Sequence, residues 1–416
     1  MGLPLAIRFA ESGIPVLGLD TDGSKVRSIN QGQSYIKHIE GPVIRSLVES
    51  DKMIASSDFS LLKEVDAILI CVPTPLSKHR EPNIGYVLET GKSIAPYLKL
   101  EEGSCKKLIV LESTSYPGTT DTDLRNVLEN ESGLKAGVDF HLAFSPERED
   151  PGRKCHTLKS IPKIMGGYSP ACLERCKSLY SEVLDTIVPV SSCRVAEASK
   201  LLENIYRAVN IALVNELKVV YGTMGIDIWE VIEAASSKPF GFTPFYPGPG
   251  LGGHCIPVDP YYLTWKAREY EQSTRFIELA GEVNTRMPDY VVKRVVEALN
   301  DESKSVKGSD VLILGLAYKP NVDDDRESPS YVLMKKLEDM GAVVSYNDPH
   351  VPIIPVTREH ASYAGRKSSV ISDNYDCILI ATHHDEYKAF DFSGFVCPIV
   401  DTRHCIVNRP QKYYKA

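Results

Sequence analysis

Paired cysteines are missing from this 416-residue chain: it has ten cysteines, none in a CxxC spacing. Neither a zinc site nor a disulfide framework is therefore indicated. A leader peptide and any apolar run long enough to span a bilayer are also lacking, which predicts reduced thiols in a cytosolic protein that is not bound to membrane. Positive charge is not in excess. With 47 Lys and Arg against 55 Asp and Glu the net charge is −8, which argues against a general nucleic-acid binder and leaves room for a local basic pocket, so the expected ligand is a small anion. His350, His383, His384 and His404 show no spacing that demands a metal. Low-complexity segments and internal repeats are absent. What remains is an ordinary globular composition, 43% hydrophobic and 25% charged, on a chain long enough for two or three domains.

The chain is organised around Phe245–Tyr262, FYPGPGLGGHCIPVDPYY, where glycines and prolines surround one cysteine and one aspartate. Glycine allows backbone conformations closed to other residues and proline stiffens the rest, so such a segment wraps closely around a ligand. A thiol held there, with a carboxylate four residues on, suits covalent catalysis, because a thiolate adds to an aldehyde and later leaves from a thioester. Cys255 is the candidate nucleophile and Asp259 its companion.

The stretch GPGLGGHCIPVDPYYLTWKA resembles the catalytic-cysteine segment of the nucleotide-sugar dehydrogenases related to UDP-glucose and GDP-mannose dehydrogenase, most closely their UDP-N-acetylhexosamine branch. The resemblance implies that Cys255 carries the covalent intermediate and that Asp259 supports the catalytic water. It also assigns Phe245, Tyr246 and Gly252 of the loop to the substrate. In this family the chain opens with a hydrophobic strand and a GxGYVGLPLA-type turn, of which only the last glycine, Gly2, stands here. A first strand and most of the diphosphate turn are thus expected to be missing, and NAD binding by the chain as it begins is expected to be weak.

Leu3–Ser12 is predicted to be the helix after that turn and Ile14–Leu19 a strand, with Asp20 at its end where an acid meets the adenosine ribose of NAD. VDAILICV (65–72) and KLIVL (107–111) read as buried parallel strands, His141–Phe144 and KIMGG (163–167) as further ones. They deliver Thr74, Ser115 and Ser145-Pro-Glu-Arg148 to one edge. The resemblance places Thr74 and Ser115 near the cofactor, Glu147 at the reacting carbon and Arg148 against the sugar. A long helix is predicted over Val195 to about Met224, as an interdomain spine and dimer contact. On it, Lys200 and Asn204 share a face and match the family motif AExxKxxxN, whose lysine and asparagine polarise the oxygen on the reacting carbon. Helices are predicted over Phe276–Arg286 and Tyr290–Leu299. Strands at 310–316, 343–346, 377–381 and 399–401 alternate with helices as a second doubly wound sheet. Family matches there are Tyr318, Lys319 and Arg403 for the nucleotide and its diphosphate, and Arg326, which serves that group or the NAD side of the cleft.

The expected architecture is α/β: two doubly wound, Rossmann-like parallel-sheet domains joined by a long central helix. Residues 1–190 form the NAD-binding domain, 191–289 the central domain with the cysteine loop, and 290–416 the UDP-sugar domain, in a homodimer or larger homo-oligomer. The expected activity is two-step, NAD-dependent oxidation of the C-6 hydroxymethyl of a UDP-sugar. UDP-N-acetylglucosamine is favoured over UDP-N-acetylmannosamine and UDP-glucose. A reading from another class is a catalytically impaired UDP-sugar-binding protein that lacks a central strand.

Overall fold

The computed structural model describes residues 2–36, 39–77, 79–99, 105–148, 159–253, 256–357 and 360–416. Cys255 lies outside them. The chain divides into two compact units: Met1–Glu203 with Tyr261–Gln272, and Asn204–Pro260 with Ser273–Ala416.

Among the described residues of the N-terminal unit, short and largely apolar runs form seven strands: β1 (Val16–Leu19), β2 (Met53–Ser56), β3 (Ala67–Ile70), β4 (Leu108–Leu111), β5 (His141–Phe144), β6 (Lys163–Gly167) and β7 (Ile187–Val190). β1 and β2 pair in parallel as one ladder, and β3 to β7 follow one another in a second. The second is parallel except at β5–β6, which run antiparallel. Every residue of β4 is buried, as expected of a strand covered on both faces. The helix Gly2–Glu11 is apolar on two sides. Leu5 and Phe9 join the cluster of Val110, Met165 and Tyr180, whereas Leu3, Ile7 and Ala10 join that of Ile29, Ile44, Leu47 and Met53.

The C-terminal unit holds a parallel sheet in the order β12-β11-β10-β8-β9: β8 (Asp310–Leu314), β9 (Val343–Asn347), β10 (Cys377–Ile380), β11 (Ile399–Asp401) and β12 (Tyr413–Lys415). A long helix, Cys193–Thr223, matches the predicted spine to within two residues. The two helices predicted around residue 288 are instead one, Arg275–Asp301, with Pro288 buried inside it. Proline has no N–H for the carbonyl four residues back, which is that of Asn284. The cysteine-loop segment packs at this point, since a Cβ built on Gly250 would lie 3.5 Å from the Asn284 oxygen. No helix among the described residues is long and apolar enough to cross a membrane.

One buried carboxylate shapes the turns at the carboxyl ends of β8 and β9. Asp348 accepts N–H bonds from Leu316 (2.7 Å), Ala317 (2.8 Å), His350 (2.8 Å) and Val351 (3.0 Å). His384 accepts the Asn321 N–H at Nδ1, so its Nε2 carries the proton and donates it to Asp348 at 3.1 Å. Replacing Asp348 with alanine strands these donors in a dry environment. The Asp348→Ala protein should lose about 3–5 kcal/mol of stability in urea unfolding, and a loss near zero would show that the turns do not depend on this acid.

Candidate active site

Gly248 is held at each of its backbone groups. Its N–H donates to Asn215 Oδ1 at 2.9 Å, and Asn215 in turn donates to Asn284 Oδ1 at 2.9 Å. Asn284 Nδ2 completes the chain by donating to the Ala208 carbonyl at 3.1 Å. A Cβ on Gly248 would stand 2.2 Å from an Arg403 guanidinium nitrogen, so only glycine lets that cation lie against the loop. Five residues on, Gly253 adopts φ +84°, and a Cβ there would stand 2.7 Å from the Tyr318 ring. Gly252 faces the same tyrosine. Phe245 packs edge-on against Tyr206, with ring centroids 5.6 Å apart, and touches the Ile228–Trp229–Ile232 cluster, whereas Tyr246 is half exposed.

Asp259 opens the helix Asp259–Arg268, a position where a carboxylate meets the positive end of the helix dipole. Its Oδ2 accepts a 2.5 Å bond from Asn204 Nδ2, and both residues are buried. Arg403 donates through Nε to the Ala381 carbonyl at 3.0 Å, and burial lowers its pKa to about 10 against the pull of Asp401. Tyr318 and Lys319 follow β8, and the Tyr318 N–H is bonded to the Asp324 carbonyl at 3.0 Å. Arg326 is more than half exposed and bidentate to Asp324, at 2.8 and 2.6 Å.

In the N-terminal unit Lys200 donates from Nζ to the Glu147 carbonyl at 2.6 Å. The Glu147 carboxylate accepts the Arg148 N–H at 2.7 Å and stands 3.8 Å from Lys163 Nζ. Lys163 is paired at 2.5 Å with Glu112, whose other oxygen takes the Tyr180 hydroxyl. Two carboxyls and one ammonium therefore share a dry pocket in which burial raises the Glu112 pKa. Sequence reasoning did not single out Lys163, Glu112 or Tyr180. The available signal was a lysine opening the apolar run KIMGG and an acid closing KLIVL, where a charge must find a partner inside the core. Arg148 is committed to Glu203 (2.6 Å) and the Pro162 carbonyl (2.5 Å).

The cofactor candidates in this unit fit a dinucleotide held at the carboxyl ends of parallel strands. Asp20 follows β1, with one oxygen fixed by the Asp22 N–H (2.9 Å) and the other beside Lys25 (3.3 Å). Thr74 follows β3, and its carbonyl accepts the Tyr262 hydroxyl at 2.8 Å. Gly2 opens the first helix within ordinary contact of Cys71. Ser115 follows β4 and lies 3.4 Å from Glu197, a buried acid that also takes the Gly118 N–H (2.7 Å), the Thr120 N–H (2.9 Å) and the Thr120 hydroxyl (2.7 Å). Glu197 fixes the loop that presents Ser115; sequence reasoning had it only as a letter of the AExxKxxxN motif.

Among the described residues, His350, His384 and Glu386 could bring ligand atoms within 4.8 Å of one another. Both ring nitrogens of His384 are already committed, to Asn321 and Asp348, so this trio does not make a ligand set.

Models of one family match three successive parts of the chain. They are described as the NAD binding domain (residues 1–184), central domain (194–286) and UDP binding domain (312–408) of the UDP-glucose/GDP-mannose dehydrogenase family. The chain is 34% identical to a UDP-N-acetyl-D-glucosamine 6-dehydrogenase of Pseudomonas aeruginosa over 93% of its own length and 89% of the relative's. It is 35% identical to a UDP-N-acetyl-D-mannosamine dehydrogenase of Pyrococcus horikoshii over 95% and 90%. The solved structure of a UDP-D-ManNAc dehydrogenase from Pyrococcus horikoshii superposes with a TM-score of 0.88 at 31% identity, covering 100% of this chain and 96% of that one.

Burial pushes the Glu197 carboxyl from its ordinary value of 4.5 up to about 7, against the Thr120 and Gly118 bonds that favour the anion. A folded pKa above the unfolded one contributes stability that is complete below the unfolded value and is lost as pH rises through the folded one. The stability difference between wild type and Glu197→Gln should shrink by on the order of 3 kcal/mol from pH 4.5 to 7.5. Parallel urea-unfolding profiles of the two proteins across that range would contradict the assignment.

Proposed function

We propose that this chain, which belongs to the UDP-glucose/GDP-mannose dehydrogenase family and is an NAD-dependent nucleotide-sugar dehydrogenase, oxidises the C-6 hydroxymethyl of UDP-N-acetylglucosamine to a carboxylate. The observation that carries the reading is the Asn204–Asp259 hydrogen bond of 2.5 Å. It ties the long helix to the residue four places after Cys255, at the root of the cysteine loop. Residues 1–190 hold NAD, 191–289 carry the cysteine loop, and 290–416 hold the UDP-sugar.

NAD, when bound through Gly2, Asp20, Thr74 and Ser115, with Arg326 as a further candidate, supplies the hydride acceptor for each of two oxidations. Cys255 adds as thiolate to the C-6 aldehyde to give a thiohemiacetal, and its sulfur holds the carbon as the thioester after the second oxidation. Water placed by Asp259 and Glu147 cleaves the thioester, which returns the thiolate and releases the carboxylate. Asn204 has two amide hydrogens and gives one to Asp259, so the other is available to the substrate oxygen. Lys200 has three donors and gives one to the Glu147 carbonyl. The ammonium and amide, one turn apart on the same helix, stabilise the negative oxygen at each stage. Phe245, Tyr246, Gly252, Tyr318, Lys319 and Arg403 take the nucleotide sugar, together with Arg148.

Tyr206, Leu213 and Val220 on the long helix, and Met224 just after it, leave large apolar groups exposed, which supports pairing with a second copy of the chain. UDP-N-acetylmannosamine is the second reading of the substrate, favoured by the Pyrococcus horikoshii relative's comparable identity.

Equal concentrations of UDP-N-acetylglucosamine, UDP-N-acetylmannosamine and UDP-glucose, each with excess NAD, should give fastest NADH formation with the first. A faster rate with either of the others reassigns the sugar. Cys255→Ser should bind the nucleotide sugar as wild type does yet lose at least about a thousandfold in kcat, because serine is a much poorer nucleophile and leaving group. Near-wild-type uronate formation by that variant would remove the covalent mechanism.

A further inference from the structure

Lys218 lies within the C-terminal unit, on the long helix, and is buried without a carboxylate partner among the described residues. Its Nζ stands 3.5 Å from the Gly248 carbonyl and 5.1 Å from the centroid of the Tyr290 ring. The charges that act on it share its sign: Arg403 from the turn after β11, and Arg294 from the helix Arg275–Asp301. The acids nearest those arginines are occupied. Glu297 pairs with Arg294, and Asp401 accepts the N–H groups of Arg403 (2.8 Å) and Cys405 (2.8 Å) and the Tyr413 hydroxyl. Tyr290, which supplies the ring, has its pKa raised by burial and stays neutral near pH 7.

A buried ammonium without a counter-charge is costly. Two cations, Lys218 and Arg403, meet the same glycine, one at its carbonyl and one at its α-carbon. Such an arrangement is complete only when an anion arrives, and a diphosphate supplies two negative charges on adjacent groups. We infer that Lys218 is a further binding residue for the diphosphate of the nucleotide sugar, acting beside Arg403 at Gly248. The inference rests on the proposed function, in which the C-terminal unit takes the UDP-sugar.

Burial, then Arg403 and Arg294, lower the Lys218 pKa to about 7 in the free protein. A bound diphosphate restores the charged form, so above pH 7 binding takes up a proton and weakens as pH rises. Arg403, with a pKa lowered only to about 10, does not titrate in that range. The diphosphate of a nucleotide sugar is a diester with no proton to exchange there.

Calorimetric titration of UDP-N-acetylglucosamine and, separately, of NAD into wild type and Lys218→Met from pH 6.5 to 8.5 tests this. Wild type should bind the nucleotide sugar with proton uptake, seen as a dependence of the heat on buffer ionisation enthalpy. Its affinity should fall towards tenfold per pH unit above 7. Lys218→Met should bind about 10- to 100-fold more weakly at pH 6.5, the size of a charge-assisted hydrogen bond, with little pH dependence and unchanged NAD affinity. Equal nucleotide-sugar affinity in the two proteins, or an affinity loss confined to NAD, overturns the inference and leaves the proposed function standing. A wild type that binds no nucleotide sugar overturns the proposed function and this inference with it. Methionine removes an unpaired buried charge, so the ligand-free variant should melt at or above the wild-type temperature. Should it not fold, Lys218→Gln takes its place, with the same outcomes expected and the same ones overturning the inference.

Discussion

The backbone of Gly248 is the point on which the C-terminal site depends. Its N–H is bonded to Asn215, its carbonyl faces Lys218, and its α-carbon lies where any side chain would collide with the Arg403 guanidinium. Those three contacts come from the long helix and from the turn after β11, so one glycine fixes the register of a loop that runs on to Cys255. The asparagine chain from Gly248 through Asn215 and Asn284 to the Ala208 carbonyl leaves no amide of that chain wasted. Linked polar groups of this kind favour one arrangement, because any slip strands several donors together.

The N-terminal unit solves a different problem. Glu147 and Glu112 are both buried in this unit, and a buried acid needs a partner. Lys163 stands 3.8 Å from Glu147 while pairing tightly with Glu112. The same ammonium thereby serves two acids, with the Tyr180 hydroxyl completing the coordination of the deeper one. Lys200 reaches Glu147 through its main-chain carbonyl.

Much of this was legible in the sequence because it is written locally. The runs AILI, LIVL and DVLIL can only be buried strands, and the structure has them as β3, β4 and β8. The helix around Lys200 and Asn204 follows from spacing alone. The resemblance of the glycine loop to a known family supplied roles that spacing could not, and the family assignment is borne out by matches along the chain. Less legible were features that need two distant segments. Pro288 reads as a helix break, yet the helix runs through it, with the cysteine-loop segment at Gly250 packed beside the Asn284 carbonyl. Lys163, Glu112, Glu197 and Lys218 look like surface charges until the fold buries them. Their hydrogen-bond partners lie 30 to 82 residues away, so no local pattern announces them.

The central claim is that the aldehyde made by the first oxidation is captured on Cys255 and oxidised again without being released. Its most direct test is stoichiometry in a single reaction containing hydroxylamine to trap free aldehyde. NADH is followed by absorbance, and the sugar products by mass spectrometry. Two NADH per uronate or hydroxamate, with no trapped C-6 aldehyde oxime, is the result expected of a bound thiohemiacetal and thioester, since hydroxylamine also cleaves a thioester to the hydroxamate. One NADH per sugar consumed, with the oxime as the main product, would contradict it.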